Sequence, residues 1–456
     1  MVYAMITTSS TEHFKRSYVY FISVIAAVGG ILFGYNLTII SGAVIFLQKQ
    51  FSLTATQLGF VIASLTLGCI SGPLMAGWFS DRFGRKKGLL LSALLLAICS
   101  VGTATATGIG VFNAYRIIGG IGVGMVSVVS PMYIAEVAPA RMRGSLVTLN
   151  QLGIVLGEAF SIVVSYFLSF SGNWRGMFAS ALIPSLILLV GLFFVPESPR
   201  WLVQRSREEE ALHILTRLEG RDNVTLALND MRDCGGKESG GWNELFRPGI
   251  RIALLIAVSL GVFSQWTGVS PMIMYAPIIF QKAGFTLASD ALLQTLIIYL
   301  WNIVCTVGVM FVIDRFGRRP LLLLGTAGMM LGQLLMGTFF HVNMMGIYVV
   351  LAMFLCLGGF AISLAPLPWL IMAEVFPSRI RAKGQSMAAL WLWLAAYSSF
   401  QATAPIMQSM EQKFGSPAGV FWIFALICAA ALLFEWRMVP ETKGKSIEEI
   451  GKSWSP

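Results

Sequence analysis

Apolar runs long enough to cross a lipid bilayer recur from Ser17 to Val439, and they restrict this chain to a helical protein that spans a membrane many times. A spanning helix needs about 20 mostly apolar residues, and in hydrocarbon only helices and closed barrels satisfy their own backbone polar groups. We read twelve runs, at 18 to 42, 57 to 79, 88 to 107, 110 to 132, 146 to 170, 177 to 195, 252 to 280, 289 to 313, 320 to 340, 345 to 373, 384 to 408 and 419 to 438. No small-residue cleavage site follows the first, so it is expected to serve as its own insertion signal. Only 12% of residues are charged, against about 25% in a typical soluble domain, so water is not the main solvent.

The net charge of +10 does not point to nucleic acid, because the basic residues gather on one face. Of 32 Lys and Arg, Lys49, Arg175, Lys282 and Lys413 fall in the loops of one face and Arg116 inside a span, which leaves 27 for the other. The positive-inside rule makes that basic face, with both termini, cytoplasmic, and the short outer loops make a bacterial inner membrane the simplest location. Five cysteines fall within spans and Cys234 in a loop, which is neither a disulfide framework nor a metal cluster. His13, His213 and His341 are scattered, and no nucleophile, base or metal set converges on them, so an enzyme is not expected. No cofactor or metal is expected.

The chain is also duplicated. Asp81-Arg82-Phe83-Gly84-Arg85-Lys86 returns as Asp314-Arg315-Phe316-Gly317-Arg318-Arg319, Ala135-Glu136-Val137 as Ala373-Glu374-Val375, and Pro196-Glu197-Ser198 as Pro440-Glu441-Thr442. The offset is nearly constant, about half the chain, as a parallel repeat of two six-span halves requires. The division is therefore 1–199 for one bundle, 200–251 for a polar linker with some amphipathic helix, 252–439 for the second bundle and 440–456 for a tail. In such a protein the substrate site is expected near the membrane midplane between halves that rock against each other.

From Gly34 to Ile450 the ordered set of motifs resembles the sugar porter family of the major facilitator superfamily. It comprises Gly34-Tyr35-Asn36, Asp81 to Lys87, Tyr115 to Gly120, Glu136 to Gly144, Asn150 to Gly153, Pro196 to Leu202, Asp314 to Arg319, Pro366 to Trp369 with Glu374, and Pro440 to Gly444. The resemblance implies an all-α fold of twelve transmembrane helices, and transport of a sugar or polyol by alternating access as a monomer in the bilayer. It also implies a cytoplasmic gate of Asp81, Arg85, Glu136, Arg143, Glu197, Asp314, Arg318, Glu374, Arg381 and Glu441. Charges at these loop and helix ends would join the halves when that side is shut. The plainer reading makes them topology signals and helix caps.

A sugar needs amide and hydroxyl side chains for its hydroxyls and an aromatic face for its ring. By family position, Gln151, Gln265, Asn302 and Trp369 are the implied contacts, with Ser264, Ser270 and Trp393 beside them. Several long polar arms of the family are missing: the seventh span has Ser264, Ser270 and Met274, and the eleventh Leu392 and Ala396, where amides, a tyrosine or asparagines are usual. That departure points away from glucose. Ser270-Pro271 reads as a helix restart, Ser capping and Pro at the first helical position.

Coupling stays open between two modes. Proton-coupled relatives carry Asp where this chain has Asn36, beside the family Arg at Arg116, and Asn cannot take up a proton. That favours uncoupled diffusion. Glu158, however, lies seven residues beyond Gln151 on the same helix face, and a carboxylate inside the membrane marks function. It is expected either to carry a coupling proton or to balance Arg116. A nutrient sensor built on the same fold is the rival from another class, for which a long signalling tail would be expected.

Overall fold

The computed structural model describes residues 2–139, 142–219, 224, 228, 241–247, 249–377 and 380–441. The side chains of 2–16, 143, 219, 242, 310, 313–315, 373 and 382 lie outside that description. The side chains of the expected gate residues Arg143 and Asp314 therefore lie outside that description, and the loop residue Cys234, most of 220–240 and nearly all of the tail lie outside the described residues.

In the first half the helices are α1 (Val2–Phe51), α2 (Ala55–Phe83), α3 (Arg85–Thr105), α4 (Ile109–Val137), α5 (Arg143–Ser169), α6 (Trp174–Ser180) and α7 (Leu182–Gly191). The linker contributes α8 (Pro199–Gln204) and α9 (Glu208–Glu219). The second half has α10 (Ile250–Trp266), α11 (Val269–Met274), α12 (Ala276–Lys282), α13 (Ala288–Phe316), α14 (Arg318–His341), α15 (Ile347–Ile362), α16 (Leu367–Glu374), α17 (Arg381–Phe414) and α18 (Ala418–Met438). Where a predicted span maps to several helices, as α6 with α7 or α10 with α11 and α12, it crosses as a broken rod.

Eleven stretches among the described residues are long and apolar enough to span by composition alone. The predicted run 384 to 408 is not one of them, although α17 is 34 residues long. Ser398, Ser399, Gln401 and Thr403 lower its hydropathy, and it can hold them because it packs between α2 and α10 and buries Ala388, Leu392, Trp393, Phe400 and Ala404 against protein. It is the twelfth crossing.

Within the first half α1 packs on α4 and α5, and α2 and α3 on α4; within the second, α14 packs on α15 and α18, and α10 on α17. The halves meet where α2 lies on α17, α5 on α13, and α1 on α11 and α12. Polar crossings mark the end bearing the 52–54 loop: Gln401 Nε2 donates to Thr56 O at 3.0 Å and Ser41 Oγ to Ile273 O at 3.1 Å.

One predicted cap is corrected. The seventh span does restart, but at Val269 behind Gly268, which adopts φ +89°; Pro271 is the third helical residue and not the first. Gly268 turns the chain two residues earlier than a Ser270 cap would, and Ser270 Oγ donates instead to Ser264 O at 3.3 Å.

Candidate functional site

α1 crosses α5 at Gly34, where a Cβ would lie 1.9 Å from Ile154 O and 3.0 Å from Glu158 N. This close approach sets Glu158 beside the first helix in mid-span. From there its Oε2 accepts from Nδ2 of Asn302 on α13 at 3.5 Å, so the carboxylate of one half touches the amide of the other. Tyr299, one turn before Asn302, is buried next to Ala159 and Ile162.

The expected partnership of Glu158 with Arg116 does not form. Residues two apart on a helix point about 200° apart, so Gly34 faces α5 while Asn36 faces α4, and α1 runs between the two charges. Arg116 is fully buried and donates Nη1 to the backbone oxygen of Asn36 at 2.8 Å. The Asn36 amide turns back to Leu32 O at 3.0 Å, so the arginine reads the backbone of Asn36 and not its side chain.

The other expected contacts fall into two groups. Ser264, Gln265 and Ser270 cluster at the helix break: Gln265 Nε2 donates to Ser264 Oγ at 3.1 Å, and Ser264 Oγ to Gly261 O at 2.7 Å. Trp393 is buried and meets the ring of Phe33 across the halves at 6.1 Å, whereas Trp369, just past the break between α15 and α16, is 47% exposed. Gln151 presents an exposed amide on α5.

At the end bearing Gly84 and Gly317 the motifs expected to form a gate assemble within each half. Arg85 grips Glu136 with Nε at 3.0 Å and Asp81 with Nη1 at 3.1 Å. The pair with Glu136 is buried on both sides and further satisfied by the Ser198 hydroxyl, while Asp81 is 73% exposed and adds little. Glu197 caps α3, its Oε1 accepting from the backbone N–H of Arg85 at 2.9 Å and of Lys86 at 3.0 Å. Burial pushes the Glu197 carboxyl above the usual carboxylate range, against the pull of these N–H groups and of Ser198 N–H. The second half repeats the arrangement. Glu441 caps α14 through Arg318 N at 3.0 Å and Arg319 N at 3.1 Å, and Arg318 Nη2 reaches Glu374 at 3.2 Å. Arg381 Nε donates to Phe376 O at 3.4 Å. Every ion pair described among these expected gate groups lies inside one half. The linker joins the same corner, since Trp201 Nε1 and Arg205 Nη2 both donate to Asp81 O at 2.8 Å.

Sequence reasoning missed Phe33, Tyr299 and Glu435. The aromatics carried no signal, because a ring in a span is ordinary. Glu435 carried one, since it is a carboxylate inside a predicted span just as Glu158 is. It is fully buried on α18 and accepts from Thr326 Oγ1 at 3.0 Å.

Comparison with known proteins agrees with this architecture. The family model described as "Sugar (and other) transporter" matches residues 22–454. The D-xylose-proton symporter of Escherichia coli (strain K12) is 38% identical, with 97% of each chain aligned. The arabinose-proton symporter of Bacillus subtilis (strain 168) is 36% identical, again over 97% of each. The solved inward-open conformation of the xylose transporter XylE from E. coli superposes with a TM-score of 0.84 at 35% identity, covering 96% of this chain and 100% of that one. Twelve crossings in two repeated halves, the paired glycine turns with their carboxylate caps and these similarities lead to one conclusion: the chain belongs to the sugar porter family of the major facilitator superfamily, and is a membrane transporter rather than an enzyme.

Proposed function

We propose that this protein carries an aldose, with the pentoses D-xylose and L-arabinose the first candidates, across a bacterial inner membrane together with a proton that binds Glu158. The observation that carries the reading is the Glu158 carboxylate at the seam of the halves, on the face of Gln151 and against Asn302. A charge held there separates from or joins the opposite half as the halves rock, so its protonation and the rocking are linked. The relatives named above are sugar-proton symporters, which supports the substrate class and the ion.

In this reading Gln151, Gln265, Asn302, Ser264 and Ser270 bond the sugar hydroxyls, and Trp369 and Trp393 face its ring. Arg116 holds α1 to α4 through the Asn36 carbonyl. The glycine-turn end is cytoplasmic, with both termini there, and the protein works as a monomer whose bodies are 1–199 and 252–439. The structure is then the inward-facing state. Closing the inner end would bring the Asp81, Arg85, Glu136, Arg143, Glu197 cluster against its counterpart of Asp314, Arg318, Glu374, Arg381 and Glu441.

Purified protein in liposomes with an imposed pH gradient, acid outside, tests this directly. Labelled D-xylose or L-arabinose is expected to accumulate above its outside concentration and to leak back when the gradient is collapsed. Equilibration without accumulation would instead establish uncoupled diffusion, the reading that Asn36 favours. Gln151→Ala removes hydrogen bonds to a neutral ligand, each worth about 0.5–1.5 kcal/mol, and is expected to raise Km roughly 2- to 12-fold with normal folded yield. An unchanged Km would remove Gln151 from the site.

A further inference from the structure

The break in the seventh span strips carbonyls of their helical donors. Pro271 has no N–H to offer Thr267 O four residues back, and in hydrocarbon no water replaces it. The replacement donors come from two other helices of the same half. Gln333 of α14 gives Nε2 to Thr267 O at 3.2 Å, and Cys428 of α18 gives Sγ at 3.5 Å, both side chains being fully buried. Gln333 Nε2 also reaches Met272 Sδ at 2.8 Å, so one amide holds the chain on both sides of the break.

Gly268 at the break presses on Phe424, where a Cβ would lie 2.2 Å from the ring. Beyond it, α11 and α12 shut the end of the molecule opposite the glycine turns. Ile273 O accepts from Ser41 of the other half, Tyr275 Oη donates to Phe400 O, and Lys282 pairs with Glu411.

We infer that Gln333 is a positioning residue for transport: its amide, assisted by Cys428, fixes the pivot about which α11 and α12 close over the site. None of Gln333, Cys428 and Thr267 belongs to the sugar-contacting set, so the bracket acts on the rate of rocking and not on affinity. Two buried polar atoms at the pivot, Thr267 Oγ1 and Gln333 Oε1, have no partner among the described residues in this state. A second arrangement, with Thr267 Oγ1 donating to Gln333 Oε1, satisfies both when the segment swings.

Gln333→Met keeps the length of the side chain and loses the donor. Its Vmax for sugar uptake is expected to fall about tenfold, equivalent to about 1.4 kcal/mol, while Km stays within twofold. In purified protein, hydrogen exchange across 267–275 should quicken and that of α14 and α18 should not. Cys428→Ala, expected to give a smaller change of the same kind, serves if Gln333→Met does not fold. Wild-type Vmax with unchanged exchange, or exchange quickening throughout the second half, overturns the pivot role. The kinetic arm rests on the proposed transport, whereas the exchange arm needs no substrate, so a chain that moves no sugar yet loosens at 267–275 counts against the transport reading alone.

Discussion

Glu158→Gln is expected to abolish sugar accumulation against a gradient while leaving exchange of internal for external sugar nearly intact. One pH unit is worth about 1.36 kcal/mol per proton, so a two-unit gradient coupled to one proton sustains about 100-fold accumulation. Gln keeps the volume and a hydrogen-bonding oxygen for Asn302, so the contact between the halves survives, but Gln has no proton to pick up or lose. The internal to external ratio should then settle near one. Glu158→Asp withdraws the carboxylate by one methylene and should fall between the two. Accumulation that persists in Glu158→Gln would place the proton elsewhere, with Glu435 the next carboxylate to test because it is fully buried in the second half.

Gly84→Ala should be strongly destabilising, because one added methyl disturbs a turn and a helix cap together. Gly84 sits at φ 106°, ψ 159°, a region essentially reserved to glycine, and a Cβ there would lie 2.1 Å from Oε2 of Glu197. The substitution strains the turn and also pushes away the carboxylate that caps α3. Backbone strain of about 1–3 kcal/mol and the loss of a charge-assisted cap of about 1.5–3 kcal/mol suggest a total of about 2.5–6 kcal/mol. Gly317 has the same geometry, φ 89° and ψ 168°, but its Cβ would stand 2.7 Å from Glu441 Oε2, so Gly317→Ala should cost less. Thermal unfolding in detergent is the measurement. A melting temperature for Gly84→Ala above that of Gly317→Ala, or equal to wild type, would refute the strain argument.

The paired turns show why the fold was readable in advance. A spanning helix must be apolar over about 20 residues whatever it packs against, and basic loops must stay on one side, so hydropathy and charge carry the topology locally. The repeat of Asp81 to Lys86 in Asp314 to Arg319 then gives the two halves without any contact being known. Even the exception obeys this logic, since α17 fell below the hydropathy expected of a span because protein, not lipid, surrounds much of it.

The candidate site could be read only as residue types at motif positions. Gln151, Asn302, Trp393 and Glu158 could be picked out, but their partners could not, because a contact between α5 and α13 or between α1 and α17 joins residues over 100 positions apart. That Glu158 faces Asn302 and not Arg116 depends on which side of α1 each neighbour occupies. Gln333 is the sharpest case: a single amide in an apolar helix looks like a packing accident until the broken seventh span places the Thr267 carbonyl against it. By itself, then, the sequence determined the crossings, their repeat and the chemical classes at the seam, since solvation by lipid acts on each segment separately. Only the tertiary structure decided which polar group satisfies which, because in the absence of water a buried group that its own helix does not satisfy, as Leu32 O satisfies the Asn36 amide, must look to another helix.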